Sequence, residues 1–295
     1  MGANGGGRKI EAIATTGPTS GGASSAAWLE GLGVESLGVE GLGVESLGIG
    51  GGTLALLFAV YLLSGMVKGA LGFGLPLIAG AVLPQFVPLA LVLAINAVIL
   101  PATNVVQFVA AGGRHGVWRH WPVLLGLLVA VPLAALVVVR ADPRLVAIAF
   151  GSFVAIAAAL TWAVPRWLIP EPLGGVAGLA TGLLGGLVTA LTTAPGPVFV
   201  LYLIGRGAER RETMAALGLF LLLSGALAAA SFWMLGLLDV PRLVLALACL
   251  APALIGMRLG DALASRVSAD RLRGVVLAVL VLLGLRTAVA ALLDG

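Results

Sequence analysis

One lysine lies in the middle of a long apolar stretch of the sequence. The stretch reads SGMVKGALGFGLP over residues 64–76, and Lys68 is the only basic residue between Gly52 and Arg114. A charge among membrane-type apolar residues is costly to bury and marks a candidate functional site. Lys68 is therefore a candidate for attracting and partly neutralising an anion. The structural alternative is a lysine that snorkels from a helix end to the surface.

The residues around Lys68 predict a break in a helix. Gly65, Gly69, Gly72 and Gly74 permit close approach and dihedral angles that other residues rarely adopt, and Pro76 cannot donate a hydrogen bond to the helix before it. A new helix that starts near this proline would point unpaired amides at the break. Such helix ends bind anions.

A second apolar stretch is interrupted in a similar way. It reads TGLLGGLVTALTTAPGP over residues 181–197 and contains hydroxyls and unpaired amides but no charge. An anion would be held there by neutral hydrogen bonds, unless the threonines bond back to carbonyls of their own helix. The candidate residues are Thr189, Thr192, Thr193, Pro195, Gly196 and Pro197.

The segment after the first break has one polar face. Asn96, Thr103, Asn104 and Gln107 fall within an arc of about 100° at helical spacing. In lipid this face must turn inward, where it lines a cavity or joins neighbouring helices by hydrogen bonds. The sequence leaves both interpretations open.

The composition excludes whole classes of protein. The chain has 295 residues, of which 60% are hydrophobic and 10% charged, with a formal net charge of +4. A soluble domain has about 25% charged residues, so this chain lacks the polar surface of a soluble enzyme or a nucleic-acid-binding module. A single cysteine excludes a disulfide scaffold. The sequence predicts an all-α polytopic membrane protein.

The apolar segments suggest two repeats of four hydrophobic segments each. They lie at about 53–83, 86–110, 120–139, 144–164, 173–204, 213–237, 242–257 and 273–293. The first segment of each repeat is broken or re-entrant, and paired interruptions of this kind point to a substrate site. The predicted divisions are a flexible tail with GLGVE-type repeats (1–52), a first repeat (53–164), a linker (165–172) and a second repeat (173–293).

The charges favour re-entrant hairpins. Three connections are basic, at 114–119, 206–211 and 258–273. If every segment crossed once, the first two would lie on opposite sides of the membrane. If the two broken segments re-enter, all three lie on the cytoplasmic side, in keeping with the positive-inside bias.

Several kinds of chemistry lack candidate residues. The apolar segments hold no Asp or Glu for a proton relay, and no nucleotide-binding, metalloprotease or nucleophile-elbow motif occurs. His115 and His120 are expected to be solvated interfacial residues rather than metal ligands, and Cys249 a buried, inert thiol. The sequence predicts no enzyme activity, no cofactor, no metal and no nucleic-acid partner.

Three stretches resemble the sulfite exporter TauE/SafE family. Residues 64–108 are similar to its first repeat, with the core G-x-x-K-G-x-x-G-F-G-x-P, and residues 178–203 resemble its second glycine-rich motif. The last loop and helix, GMRLGDALASRVSADRLRGVVLAVLVLLGL, are also similar. The matching residues are Lys68, Gly69, Gly72, Phe73, Gly74 and Pro76 in the first motif and Gly196 and Pro197 in the second.

The resemblance implies a function for the chain. It implies a permease for small sulfur-containing anions such as sulfite or sulfonates. We expect this permease to lie in the bacterial plasma membrane, where the cytoplasm-negative potential favours export of an anion. Thr192-Thr193-Ala194-Pro195 departs from the glycine and serine more common in relatives, which leaves the anion's identity open. The alternatives are a drug/metabolite-type transporter of neutral or cationic metabolites and a non-transporting membrane scaffold. The sequence leaves the oligomeric state open.

Overall fold

Helices occupy the apolar runs and end where glycine, proline or charged residues interrupt them. The computed structural model describes residues 47–113, 117–162, 168–264, 282–286 and 289, and all regular structure in these residues is helical. The helices are α1 (Gly51–Leu71), α2 (Leu75–Val82), α3 (Leu89–Ala110), α4 (Trp121–Arg140), α5 (Pro143–Trp162), α6 (Gly174–Thr192), α7 (Gly196–Gly205), α8 (Arg210–Met234) and α9 (Val240–Ala264). Short 3₁₀ turns cover Leu83–Gln85, Val117–His120 and Glu171–Leu173.

Six of the described helices are long and apolar enough to cross a bilayer. These candidate spans contain α1, α3, α4, α6, α8 and α9 and have 21 to 25 residues each. At about 1.5 Å per residue, such a helix matches a hydrocarbon core of about 30 Å. Large apolar side chains such as Val137, Val176 and Met234 are exposed on the outside of the bundle, where lipid covers them. The protein is an all-helical, multi-pass membrane protein.

The described helices follow seven of the predicted apolar segments. Segment 53–83 is divided into α1 and α2, and segment 173–204 into α6 and α7. The largest difference is at the end of α9, which continues to Ala264 instead of ending near residue 257. The eighth segment, 273–293, lies mostly outside the described residues, as do residues 1–46 of the tail.

Helices α1 and α9 run parallel and touch through glycines. Gly256 lies against the carbonyl of Leu62, and Gly260 lies against the carbonyl of Met66. Residue numbers rise together along both helices, so both point in the same direction. A Cβ atom on either glycine would overlap the facing backbone. Small residues at these positions let the two helices approach closely.

Helices α4 and α6 are packed in the same manner. Gly182 lies against the backbone of Val123, and Gly186 lies against Ala130. Numbers again rise together, so α4 and α6 are parallel. These two close pairs form opposite flanks of a bundle whose centre contains α3 and α8, which pack against each other.

One end of the bundle gathers basic side chains from two connections. The Nη2 atoms of Arg119 and Arg206 lie 2.5 Å and 3.0 Å from the two carboxylate oxygens of Glu171. The Nε–H of Arg211 donates to the carbonyl of Ala111 at 3.3 Å. We call the end defined by these five residues the basic end. The connections after α3 and after α7 therefore lie on the same side of the bundle.

The second broken segment enters and leaves at the basic end. Just before α6, the amide of Ile169 donates to the carbonyl of Gly205, the last residue of α7, at 2.7 Å. Glu171 and Arg206 form an ion pair beside this hydrogen bond. Helix α6 therefore runs into the bundle and α7 returns to the end where α6 began.

The first broken segment enters from the opposite end, which we call the far end. Tyr61 donates to Asn96 at 2.9 Å and Lys68 donates to Asn104 at 2.6 Å, so α1 and α3 run parallel. Since Ala111, the C-cap of α3, lies at the basic end, both helices start at the far end. The chain between them, α2 and its 3₁₀ turn, must lead back there. The two hairpins thus enter from opposite ends.

Candidate functional site

The tips of the two hairpins meet around a small cavity inside the bundle. Gly196 lies beside the ring of Phe73, so that a Cβ atom on the glycine would be 3.5 Å from Cδ2 of the ring. The cavity has room for about one water molecule. Its lining residues are Lys68, Phe73, Gly74, Pro76, Leu77, Leu100, Ala194, Gly196 and Leu221. It therefore combines both helix breaks with one leucine each from α3 and α8.

Lys68 supplies the charge at this cavity. It lies on the last turn of α1 and is 2% exposed, so it does not snorkel to the surface. Its Nζ donates to Oδ1 of Asn104 at 2.6 Å, and Nδ2 of Asn104 donates to the carbonyl of Leu100 at 2.6 Å. Because an ammonium has three donors, two remain without a partner among the described residues. A buried, uncompensated charge favours binding of an anion.

Two helix N-termini lie at the same cavity. Gly74 is the N-cap of α2 and Gly196 is the first residue of α7, and neither helix has a side-chain cap. The first amides of a helix have no acceptor within it, and the helix dipole adds partial positive charge there. The two N-termini and the ammonium therefore give one small volume an electropositive character, which suits an anion.

Unusual backbone conformations produce both breaks. Gly72 has φ 82° and Gly74 has φ 109°, values that residues with a Cβ rarely adopt. In the second break, Thr193 has φ 54°. Among the described residues, it is the only non-glycine residue with a positive φ. A β-branched residue in this conformation is strained. Strain of this kind is often found at functional sites.

The threonine hydroxyls of the second break bond within their own segment. Thr189 donates to the carbonyl of Gly185 at 2.7 Å, Thr192 to that of Val188 at 2.8 Å, and Thr193 to that of Thr192 at 2.6 Å. These are the local bonds that the structural alternative predicts. None of these threonines is among the lining residues of the cavity.

The polar face of α3 meets α1 along a polar seam. Asn96 accepts a hydrogen bond from Tyr61 and lies away from the cavity lining, while Asn104 bonds Lys68. Three side-chain atoms in the seam are buried without a hydrogen-bond partner: Oγ of Ser64, Nδ2 of Asn96 and Nε2 of Gln107. Buried polar atoms usually have partners, so this seam has unused capacity for water or a polar ligand.

The remaining predicted residues support the breaks from outside the cavity lining. Gly69 packs against the backbone of Met257 in α9, and Gly72 lies next to the side chain of Met214. Pro197 is the second residue of α7, a position where the missing N–H costs nothing. The structure thus brings Lys68 to the cavity together with parts of both breaks, and it brings Asn104 to Lys68. Gly69, Gly72 and Pro197 do not line the cavity.

One expectation from the sequence is wrong. His120 is fully buried instead of being a solvated interfacial residue. Its Nδ1 lies 3.1 Å from the hydroxyl of Tyr202, and its Nε2 lies 3.0 Å from Oε1 of Glu212. The histidine is buried because α7 and α8 supply these partners from more than 80 residues away in sequence. His115 lies outside the described residues.

No metal centre is evident in the described residues, because no group of three or more His, Cys, Asp or Glu side chains converges there. Cys249 is a free, buried thiol. The groups at and next to the cavity are a cation, helix amides and the side-chain amide of Asn104, all of which can hold an anion or orient the cation that does.

One protein-family model matches this chain. The family described as sulfite exporter TauE/SafE matches residues 56–287, which includes both breaks and the cavity. No curated protein and no solved structure matches the chain. The match covers most of the sequence, and the chain belongs to the sulfite exporter TauE/SafE family of membrane transporters.

Proposed function

We propose that this protein is a permease for small sulfur-containing anions, such as sulfite or sulfonates, and that the anion binds at the cavity between the two hairpin tips. One observation carries the proposal: the buried ammonium of Lys68 has unpaired donors between two uncapped helix N-termini. A site of this composition attracts anions and disfavours cations. The transporter family supports the sulfur-containing class.

The oxygens of the anion would accept hydrogen bonds from Lys68 and from the first-turn amides of α2 and α7. Asn104 orients the ammonium. Among the predicted site residues, Lys68, Phe73, Gly74, Pro76 and Gly196 line the proposed site. The other predicted residues act from outside this lining: Gly69, Gly72, Asn96, Gln107, Thr192, Thr193 and Pro197. Since the cavity has room for about one water molecule, the hairpin tips must separate to admit a larger oxoanion.

We further propose that the two hairpins belong to inverted repeats, at 53–164 and 173–293, with a linker at 165–172 and a separate tail at 1–52. Each repeat starts with a long helix, a left-handed residue and a short helix with proline at its second position. If each repeat is superimposed on the other, α1 falls on α6 and α9 falls on α4. The parallel pair α1–α9 therefore corresponds to the parallel pair α6–α4. Inverted repeats are the arrangement that many secondary transporters use for alternating access.

The direction of transport follows from charge. If the basic end faces the cytoplasm of a bacterial cell, as the positive-inside bias favours, the membrane potential drives anions outward. The driving force is about 2.3 kcal/mol per charge per 100 mV. Export then needs no coupling ion.

Flux in proteoliposomes tests the proposal. We would load vesicles with sulfite, methanesulfonate, sulfate or chloride and compare efflux through the wild type, Lys68→Met and Arg242→Met. Arg242 is the matched control because it lies at the far end, paired with Asp239, and its loss removes the same charge. We expect selective sulfur-anion efflux that is lost in Lys68→Met alone. Equal flux of all anions, or flux that survives Lys68→Met, would contradict the proposal.

The same assay distinguishes the alternatives. A transporter of neutral or cationic metabolites has no use for a buried ammonium, so substitution of Lys68 would leave its flux unchanged. A membrane scaffold would give no flux with any solute, although the folded protein is present in the vesicles.

A further inference from the structure

A carboxylate lies between two guanidinium groups at the basic end. Oε1 of Glu171 is 2.5 Å from Nη2 of Arg119, and Oε2 is 3.0 Å from Nη2 of Arg206. The three side chains differ in exposure: Glu171 is 74% exposed and Arg119 44%, whereas Arg206 is 5% exposed. Arg206 is thus buried in the protein, whereas Arg119 and Glu171 are exposed at its surface.

Arg206 has more donors than this cluster uses. Its Nε and Nη1 atoms are buried and have no hydrogen-bond partner. The guanidinium lies directly against Gly174, the first residue of α6, where a Cβ atom would be 2.6 Å from it. A cation held at the positive end of a helix, with two unpaired donors, is electrostatically unfavourable unless an anion is near.

The N-terminus of α6 adds positive electrostatic potential. Its N-cap, Leu173, provides no side-chain cap, and the amide of Gly174 donates to the carbonyl of Glu171 in the preceding 3₁₀ turn. The helix dipole places partial positive charge at this end. This helix end lies against the guanidinium of Arg206, which contacts Gly174. Two independent features, a buried unpaired guanidinium and an uncapped helix, therefore favour negative charge at one place.

We propose that Arg119, Arg206 and the first turn of α6 form a second anion site, in which the head group of a sulfur oxoanion replaces the carboxylate of Glu171. This inference rests on the proposed function, because it concerns the same substrate class. We call it the outer anion site. Glu171 acts as a tethered competitor that fills the site when no substrate is bound.

A sulfur oxoanion can take the place of the Glu171 carboxylate because both offer the same kind of acceptor atoms. A carboxylate and a sulfite or sulfonate group each present at least two oxygens to a planar guanidinium fork. Glu171 lies on a short 3₁₀ turn after Pro170, and its side chain contacts only the two arginines through hydrogen bonds among the described residues. Because the Glu171 side chain is 74% exposed, its carboxylate can leave the site without disrupting the core. Because a tethered competitor has a high effective concentration, free anions bind weakly while it is present.

The position of the site suits a transport path. Arg206 follows the last residue of α7, and the first residue of the same helix, Gly196, lines the Lys68 cavity. Ten helical residues separate the two sites by about 15 Å. The outer site would concentrate anions at the basic end before they reach the central cavity.

Neighbouring charged groups do not occupy the outer site. Nη1 of Arg119 is 4.0 Å from Glu212, but that carboxylate is already bonded to His120 at 3.0 Å. A purely structural role for Glu171 would be to clamp the ends of the second hairpin. The backbone bond from Ile169 to Gly205 already joins those ends.

The experiment uses the full-length chain with Lys68→Met, which removes the central cation, so that anion binding reports on the outer site alone. We would measure the thermal unfolding midpoint in detergent as a function of sulfite and of methanesulfonate, at constant ionic strength adjusted with chloride. The variants Glu171→Gln, Arg206→Gln and Arg119→Gln are each added to this background. The concentration that gives half of the maximal stabilisation is the quantity compared.

We expect Glu171→Gln to lower this concentration at least tenfold, because the competitor is gone. Arg206→Gln should abolish the stabilisation. Arg119→Gln should weaken it at least tenfold, and since Arg119 is exposed this variant remains informative if Arg206→Gln does not fold. The inference is overturned if Glu171→Gln brings no gain in affinity, or if sulfite stabilises the Arg119→Gln protein equally. Loss of flux in Lys68→Met would still support the central site, so the two proposals fail separately.

Discussion

The ammonium of Lys68 and the side-chain carbonyl of Asn104 are 2.6 Å apart inside the bundle, and no carboxylate among the described residues pairs with the lysine. Asn104 is held in this orientation by its own bond to the carbonyl of Leu100. A neutral partner orients the ammonium and leaves its charge uncompensated. The charge therefore remains available to an anionic substrate.

Asn104→Asp should remove anion transport without removing the fold. The new carboxylate would lie next to Nζ of Lys68 and neutralise it, so an incoming anion meets no net positive charge. We expect flux to fall at least about tenfold, which corresponds to ~1.4 kcal/mol of lost binding. The readout is efflux from vesicles together with the thermal unfolding midpoint. Unchanged flux in this variant would argue against a role for the Lys68 charge.

Gly74→Ala should destabilise the first hairpin tip. Gly74 has φ 109°, and a residue with a Cβ pays about 1–2 kcal/mol in left-handed backbone. Gly175→Ala is the matched control, because Gly175 lies in a helix with open space where its Cβ would be. The thermal unfolding midpoint should be lower than that of the wild type for Gly74→Ala, and it should not be lower for the control. Equal midpoints would mean that the tip tolerates a side chain.

Thr193→Asn should stabilise the protein. Thr193 is β-branched and has φ 54°, whereas asparagine adopts this conformation more readily. We expect a gain of about 0.5–1 kcal/mol in the free energy of unfolding, measured by denaturant or heat. A loss of stability would show that the bond from its hydroxyl to the carbonyl of Thr192 outweighs the strain.

Gly256→Ala should separate α1 from α9. Its Cβ would overlap the carbonyl of Leu62, and overpacking of this kind costs about 1–3 kcal/mol. Leu259→Ala is the control on the same helix, because Leu259 is 50% exposed on the outer face. A thermal scan of both variants tests the close approach. Similar midpoints for the two would contradict it.

Local features were accessible from the sequence because they depend on residues close in the chain. Apolar runs predict helices, and glycine and proline predict the breaks, since each acts on its own backbone. Lys68 is conspicuous because a charge within an apolar run has few explanations. The residues that resemble the TauE/SafE family give the transporter class for the same reason: they form short, recognisable stretches.

Features that depend on distant partners were not accessible. Leu100 and Leu221 line the cavity, but any leucine in a membrane helix looks alike until the tips of the hairpins are placed. The burial of His120 depends on Glu212, which is 92 residues away. Likewise, the outer anion site arises only because α6 begins where α7 ends.

The central claim is that an anion binds between Lys68 and the two helix N-termini. Selenite has the shape and charge of sulfite and a strong anomalous signal, so diffraction from crystals grown with selenite locates it directly. We predict an anomalous peak within hydrogen-bonding distance of Nζ of Lys68 and the amide of Gly196, absent from Lys68→Met crystals. A peak that persists there in the variant, or no peak at the cavity with selenite bound elsewhere, would contradict the claim.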